Sequence, residues 1–213
     1  MRFFNGNWKR KLFAPWTGRR VLFFAVLLAV ALGWLSFRAV DRLGMPVRTG
    51  TNEIGGSYRL MTVSDDTVTE GDFLGRWTLI WFFDTSCPRS VCVPKLNVMS
   101  ETVHDLAAAH ISAAALAVTL DPMHDDSDRL KSYVLGTAPE VRPLTAAPRV
   151  IENMAREFHV PDEMITAADG ARYHRPAPRI VIMDPQGRYA GTVDADVQAA
   201  ALEERIRTLA GRH

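Results

Sequence analysis

Apolar positions along this chain form unbroken runs and helical spacings, and the two kinds alternate. The first run, VLFFAVLLAVALGWLSF (21–37), holds seventeen uncharged residues between Arg20 and Arg38. At 1.5 Å per residue it rises about 25 Å, close to the minimum for a helix that spans a hydrocarbon core. One membrane anchor is therefore expected there, with Trp34 at an interface position. The polar, Gly/Pro-containing stretch 38–54 reads as a tether. A folded domain is expected over 55–213.

Within that domain, Tyr58 to Val63 predicts a strand, 64–66 a turn, and Thr67-Val68 the return. TLIWFF (78–83) is continuously apolar, as a central strand buried on both faces must be. Leu96, Met99, Val103 and Leu106 recur at helical spacing, which predicts a helix from Pro94 to about His110. ALAVTL (115–120) predicts a second buried strand, and helices follow over 125–133 and 148–158. RIVIMD, PQG and YAGTV read as strand, turn and strand, and Leu202, Ile206 and Leu209 close the chain on an amphipathic helix. Strands alternating with helices before a final hairpin make an α/β sheet covered on both faces.

Charge divides the chain in the same place. Residues 1–42 carry eight Lys/Arg against Asp41 alone, and the remaining 171 residues carry 17 basic and 23 acidic side chains. A domain at net −6 has no basic footprint for nucleic acid. Six of the basic residues precede the apolar run, so the positive-inside bias keeps residues 1–20 in the cytoplasm and places the domain across the membrane. In a bacterium that is the periplasmic side, where disulfides persist. A mitochondrial inner membrane fits the same pattern.

That compartment matters because the chain has two cysteines, Cys87 and Cys92, in TSCPRSVC directly after the central strand. As a structural staple so short a loop contributes only about 2 kcal/mol. A cysteine where a strand gives way to a helix lies near the positive end of the helix dipole, which favours thiolate. Two such thiolates can exchange a disulfide or hold a soft ion such as Cu(I) with one further ligand. A zinc site would want four ligands, and there is no second cysteine pair. The residues alone leave both uses open.

GGSYRL, DFLGRWTLIWFFDTSCP, LDPMHDDSDRLKSYV, AREFHV and IVIMDPQGR, spread from about Gly55 to the last helix, together resemble the Sco/SenC family. Asp121, Pro122 and Asp125, with Leu130 and Tyr133, carry the most specific match outside the cysteines. The resemblance implies a thioredoxin-like fold, a central mixed sheet flanked by helices, preceded by one transmembrane helix. It also implies copper, as Cu(I) or Cu(II), held by Cys87, Cys92 and a histidine. The implied role is assembly of the copper centre of cytochrome c oxidase. The partner would be the oxidase's copper-binding subunit or another copper or thiol protein.

Two features depart from the family pattern. Four residues separate the cysteines instead of three, and on a helix positions five apart diverge by about 140°. A bulged loop is therefore expected around Pro88 and Pro94. The position of the family's histidine, eight before Asp184, is Pro176, so the expected ligand is His174, with His124 as the alternative. Pro178 falls where thioredoxin-like reductases carry a cis-proline. His104 and His110 read as surface residues, His159 as a helix-end residue, and Asp121 and Asp125 as loop-shaping residues. Three functions follow: a copper metallochaperone, a membrane-anchored thiol:disulfide oxidoreductase with Cys87 attacking and Cys92 resolving, or a non-catalytic assembly partner. The first two need the sulfurs to meet, so a reversible Cys87–Cys92 disulfide is expected.

Overall fold

All seven residues of one strand, Trp77–Phe83, are buried, which is possible only where both faces of a sheet are covered. The computed structural model describes residues 22, 23, 25–34, 54–167 and 170–211. The chain falls into two units, Met1–Met45 and Pro46–His213. The second opens with β1 (Arg59–Thr62) and β2 (Thr67–Thr69), then β3 (Trp77–Phe83), α1 (Arg89–Ala108) and β4 (Ala113–Thr119). Next come α2 (Ser127–Leu130), running into a π-helical turn (Lys131–Leu135), β5 (Val141–Thr145) and α3 (Pro148–Glu157). The hairpin of β6 (Met164–Thr166) and β7 (Arg172–His174) precedes β8 (Arg179–Met183), β9 (Tyr189–Asp194) and α4 (Ala199–Ala210).

Seven of these strands form one mixed sheet in the order β2-β1-β5-β4-β3-β8-β9. The three central strands are parallel, and antiparallel pairs extend the sheet on each side. Helix α1 buries Leu96, Met99, Val103 and Leu106 and packs on α4, which buries Leu202, Ile206 and Leu209. In the last hairpin Asp184 accepts bonds from the backbone N–H groups of Gln186 and Arg188, and Gly187 takes the positive φ the turn needs.

Three sequence expectations are corrected here. Helix α1 starts at Arg89, not Pro94, and stops at Ala108, after which His110 turns to a positive φ. Pro94 lies inside the helix, past its first turn, and the burial of Cys92 and Leu96 carries the helix through it. Strand β5 was not expected, and its Pro143 is a residue that central strands avoid. It is tolerated where β1 reaches only Leu144 and Thr145, leaving β5 an edge beside the proline. The β6–β7 hairpin was also missed, being only three residues per strand.

Of the expected anchor over 21–37, residues 22, 23 and 25–34 are helical, while 21, 24 and 35–37 lie outside the described residues. Among the described residues no helix is long and apolar enough to cross a membrane. The expected cytoplasmic segment 1–20, nearly all of the tether and His213 also lie outside them.

Candidate metal and thiol site

Directly after β3 stands Asp84, a carboxylate 1% exposed that follows seven buried, mostly apolar side chains. A buried charge needs hydrogen bonds, and this one accepts three. The N–H of Ser86 reaches Oδ1 at 2.6 Å, the N–H of His174 reaches Oδ2 at 2.7 Å, and Nδ1 of the His174 ring lies 3.2 Å from the same oxygen. The carbonyl of Asp84 accepts from the N–H of Cys87 at 3.1 Å. One residue thus holds the cysteine loop and the β7 histidine together.

Cys87 and Cys92 are joined in a disulfide with their Cα atoms 6.2 Å apart. The expected bulge is absent. Cys87 precedes the extended N-cap residue Pro88, whereas Cys92 lies in the first turn of α1 and donates regularly to the Pro88 carbonyl at 3.1 Å. The angular divergence of two positions on one helix therefore does not apply, because only one cysteine is on the helix. Both are buried, at 2% and 0% exposure. Tyr133 donates its hydroxyl to the Cys87 carbonyl at 2.8 Å, and the Arg89 guanidinium lies 5.0 Å above its ring. Burial pushes the Tyr133 phenol up to about 12, so the donor keeps its proton across the physiological range.

The placement of His174 follows from the backbone. Ala177 pairs with β3 through its N–H to the Phe82 carbonyl at 2.9 Å, and its own carbonyl accepts from Nε1 of Trp81 at 2.8 Å. Arg175 braces the hairpin through its N–H to the Glu163 carbonyl and through an ion pair with the Glu163 side chain. These bonds bring the chain to Asp84 at residue 174, so a histidine two residues before the family's position still arrives at the cysteine loop. The Ala177–Pro178 peptide is trans, unlike the cis-proline of thioredoxin-like reductases.

The loop after β4 forms the other wall. Asp125, 2% exposed, accepts from the Thr85 N–H at 3.0 Å and from the hydroxyls of Thr85 and Thr119. Asp121 accepts from or pairs with Nδ1 of His124 at 2.8 Å. The two acids thus shape the loop, and His124 itself stands exposed. His104, His110 and His159 are exposed on or after helices and away from these loops in sequence. Sequence reading missed Asp84 and Trp81. The signal for Asp84 was present: an acid directly after an unbroken apolar run is unlike the residues before it.

Burial raises the Asp125 carboxyl above its ordinary value, Thr119 and Thr85 oppose that rise, and Asp84 adds to it. The native state therefore binds this proton more readily than the unfolded chain, whose aspartates titrate near about 3.9. Stability from this group falls as pH rises from there through the raised native value, and levels off above it. Asp125→Asn lacks that proton, so the stability gap between wild type and variant in denaturant titrations is expected to narrow as pH rises. A gap that widens would contradict the assignment.

The SCO1/SenC family model matches residues 46–211. Human "Protein SCO1 homolog, mitochondrial" is 29% identical over 109 residues, which cover 50% of this chain and 36% of that protein. The matched stretch thus spans little more than a third of that curated relative. Among solved structures, Bradyrhizobium japonicum ScoI with copper bound superposes with a TM-score of 0.61 at 26% identity, over 73% of this chain and 97% of that one. BsSco, described with a disulfide switch and as a member of the Sco family of cytochrome c oxidase assembly proteins, gives 0.58 at 16% identity over 76% and 96%. The thioredoxin domain of a Bacteroides vulgatus thiol-disulfide oxidoreductase gives 0.54 at 13% identity over 76% and 98%, so the fold is thioredoxin-like. With most of its length matched by one family model and Sco structures sharing its fold, the chain belongs to the SCO1/SenC family.

Proposed function

We propose that this protein is a membrane-anchored copper metallochaperone that takes part in assembly of the copper centre of cytochrome c oxidase. The observation that carries the reading is Asp84, which bonds the His174 ring and the N–H of Cys87 at once. The donor set suits copper: two sulfurs, once reduced, provide soft ligands for Cu(I), and His174 adds an imidazole nitrogen that favours Cu(II) retention. Asp84 fixes the ring through Nδ1, which leaves Nε2 as the donor atom. B. japonicum ScoI, solved with copper bound, supports the same reading.

Loading requires the closed disulfide to accept two electrons and two protons from an external dithiol, which becomes a disulfide in turn. Cu(I) titrated into the full chain should therefore bind one equivalent after reduction with a dithiol and none through sulfur while the disulfide is closed. Absence of binding by the reduced chain would overturn the reading. The disulfide also favours a second use of the same pair, thiol exchange on a partner's cysteines. Burial of both sulfurs weighs against it as the main activity. Reduction of a model disulfide without copper binding would reverse that order, and failure of both activities would leave a non-catalytic assembly partner.

The anchor reading rests on the apolar run and its charge asymmetry, and on a described helical stretch whose Leu22, Phe23, Val26, Leu28 and Val30 are exposed. The domain then lies on the periplasmic side of a bacterial inner membrane, where the client is the oxidase's copper-binding subunit or another copper or thiol protein. Alkaline phosphatase fused after Arg42 should be active. An inactive fusion would contradict this topology.

A further inference from the structure

Three loops converge beside the cysteines and bring together a second set of donors that contains no sulfur. Asp84 directly follows β3, Asp121 comes from the loop after β4, and His174 from the end of β7. One ligand atom from each lies within 4.8 Å of the others. Two ligands on opposite sides of an ion at about 2.2 Å stand roughly 4.4 Å apart, so small side-chain rotations close the set on one ion. The set also has an outer shell. His124 Nδ1 lies 2.8 Å from both Asp121 carboxylate oxygens, and the Ser86 and His174 N–H groups hold Asp84.

We propose that Asp84, Asp121 and His174, with His124 as the outer partner of Asp121, form a sulfur-free site for one divalent cation, available while the Cys87–Cys92 disulfide is closed. Two carboxylates and an imidazole are oxygen and nitrogen donors that bind divalent first-row ions, and among those ions Cu(II) binds most tightly. The disulfide removes both sulfurs from coordination but leaves this set untouched, since none of its members bonds a cysteine side chain. The oxidised protein therefore holds a divalent ion at the mouth of the thiol site. The inference shares Asp84 and His174 with the copper reading above: there Asp84 orients the ring through Nδ1, here both residues are ligands, and the closed disulfide separates the two states.

The test is a titration of cupric chloride into the oxidised full chain, with free thiol shown to be absent and a weak chelator present to strip surface histidines. The expected result is one saturable equivalent whose paramagnetic resonance shows nitrogen and oxygen ligation, without a thiolate-to-copper absorption band. Asp121→Asn and His174→Gln should each weaken it by about tenfold or more, since even loss of an outer-shell partner has that effect. His104→Gln, on the exposed face of α1, should leave it unchanged. The Cys87→Ser/Cys92→Ser double variant should retain the Cu(II) equivalent while losing Cu(I). No saturable equivalent in the oxidised chain, or one that both site variants leave unchanged with their circular dichroism intact, would overturn the proposal. Cu(I) binding by the reduced wild type would then still stand, so the two readings fail separately.

Discussion

Trp81→Ala is expected to leave the domain largely unfolded at 25 °C, while Trp81→Phe should fold and lose affinity for Cu(II). Trp81 is wholly buried in the central strand, and its ring stacks on Phe83 with centroids 5.6 Å apart. Truncating a buried Trp to Ala costs roughly 3–5 kcal/mol. The same change leaves the Ala177 carbonyl without the Nε1 donor, which costs about a further 1–3 kcal/mol. Against a total stability of about 5–15 kcal/mol, a combined loss of roughly 4–8 kcal/mol unfolds a domain in the lower half of that range. Phe keeps most of the packing but not the hydrogen bond. A loss of about 1–3 kcal/mol lowers the melting temperature by roughly 2–10 °C. The segment it releases is the one that delivers His174, so Cu(II) retention should fall more than Cu(I) binding. Thermal melts and two copper titrations check this, and a Trp81→Ala protein as stable as wild type would contradict it.

Either cysteine changed to Ser is expected to remove Cu(I) binding by the reduced chain. Four-ligand zinc sites bind with about 10–16 kcal/mol, roughly 3 kcal/mol per ligand, and each such step is about a hundredfold or more in affinity. A serine hydroxyl is a hard, protonated donor and does not replace a thiolate for a soft ion. The fold should survive, because closing so short a loop stabilises it by only about 2 kcal/mol. Cys87→Ser and Cys92→Ser should therefore melt within several degrees of wild type yet fail to compete for Cu(I) with a chelator that wild type outcompetes. Retention of wild-type affinity by either variant would show that its sulfur is not a ligand.

How far the chain could be read without its structure differs between core and site. The central strands and the long helix were legible because TLIWFF and the Leu96, Met99, Val103, Leu106 spacing record burial directly. The start of α1 was not, since Pro94 signals a boundary by local rule while the packing of Cys92 and Leu96 carries the helix through it. Strand β5, also not expected, likewise runs through a proline, Pro143. The cysteines were legible as chemistry, but their geometry depended on where Pro88 places the end of a helix. What assembles His174 with them is a chain of long-range bonds, Trp81 to Ala177 and Asp84 to His174, across 96 and 90 residues. No local pattern encodes such distances.

The most direct test of the account is copper K-edge X-ray absorption on the reduced full chain loaded with one equivalent of Cu(I). Two sulfur scatterers and one nitrogen are predicted, the nitrogen disappearing in His174→Ala while both sulfurs remain. Fewer than two sulfurs, or a nitrogen that persists in His174→Ala and vanishes in His124→Ala, would contradict it.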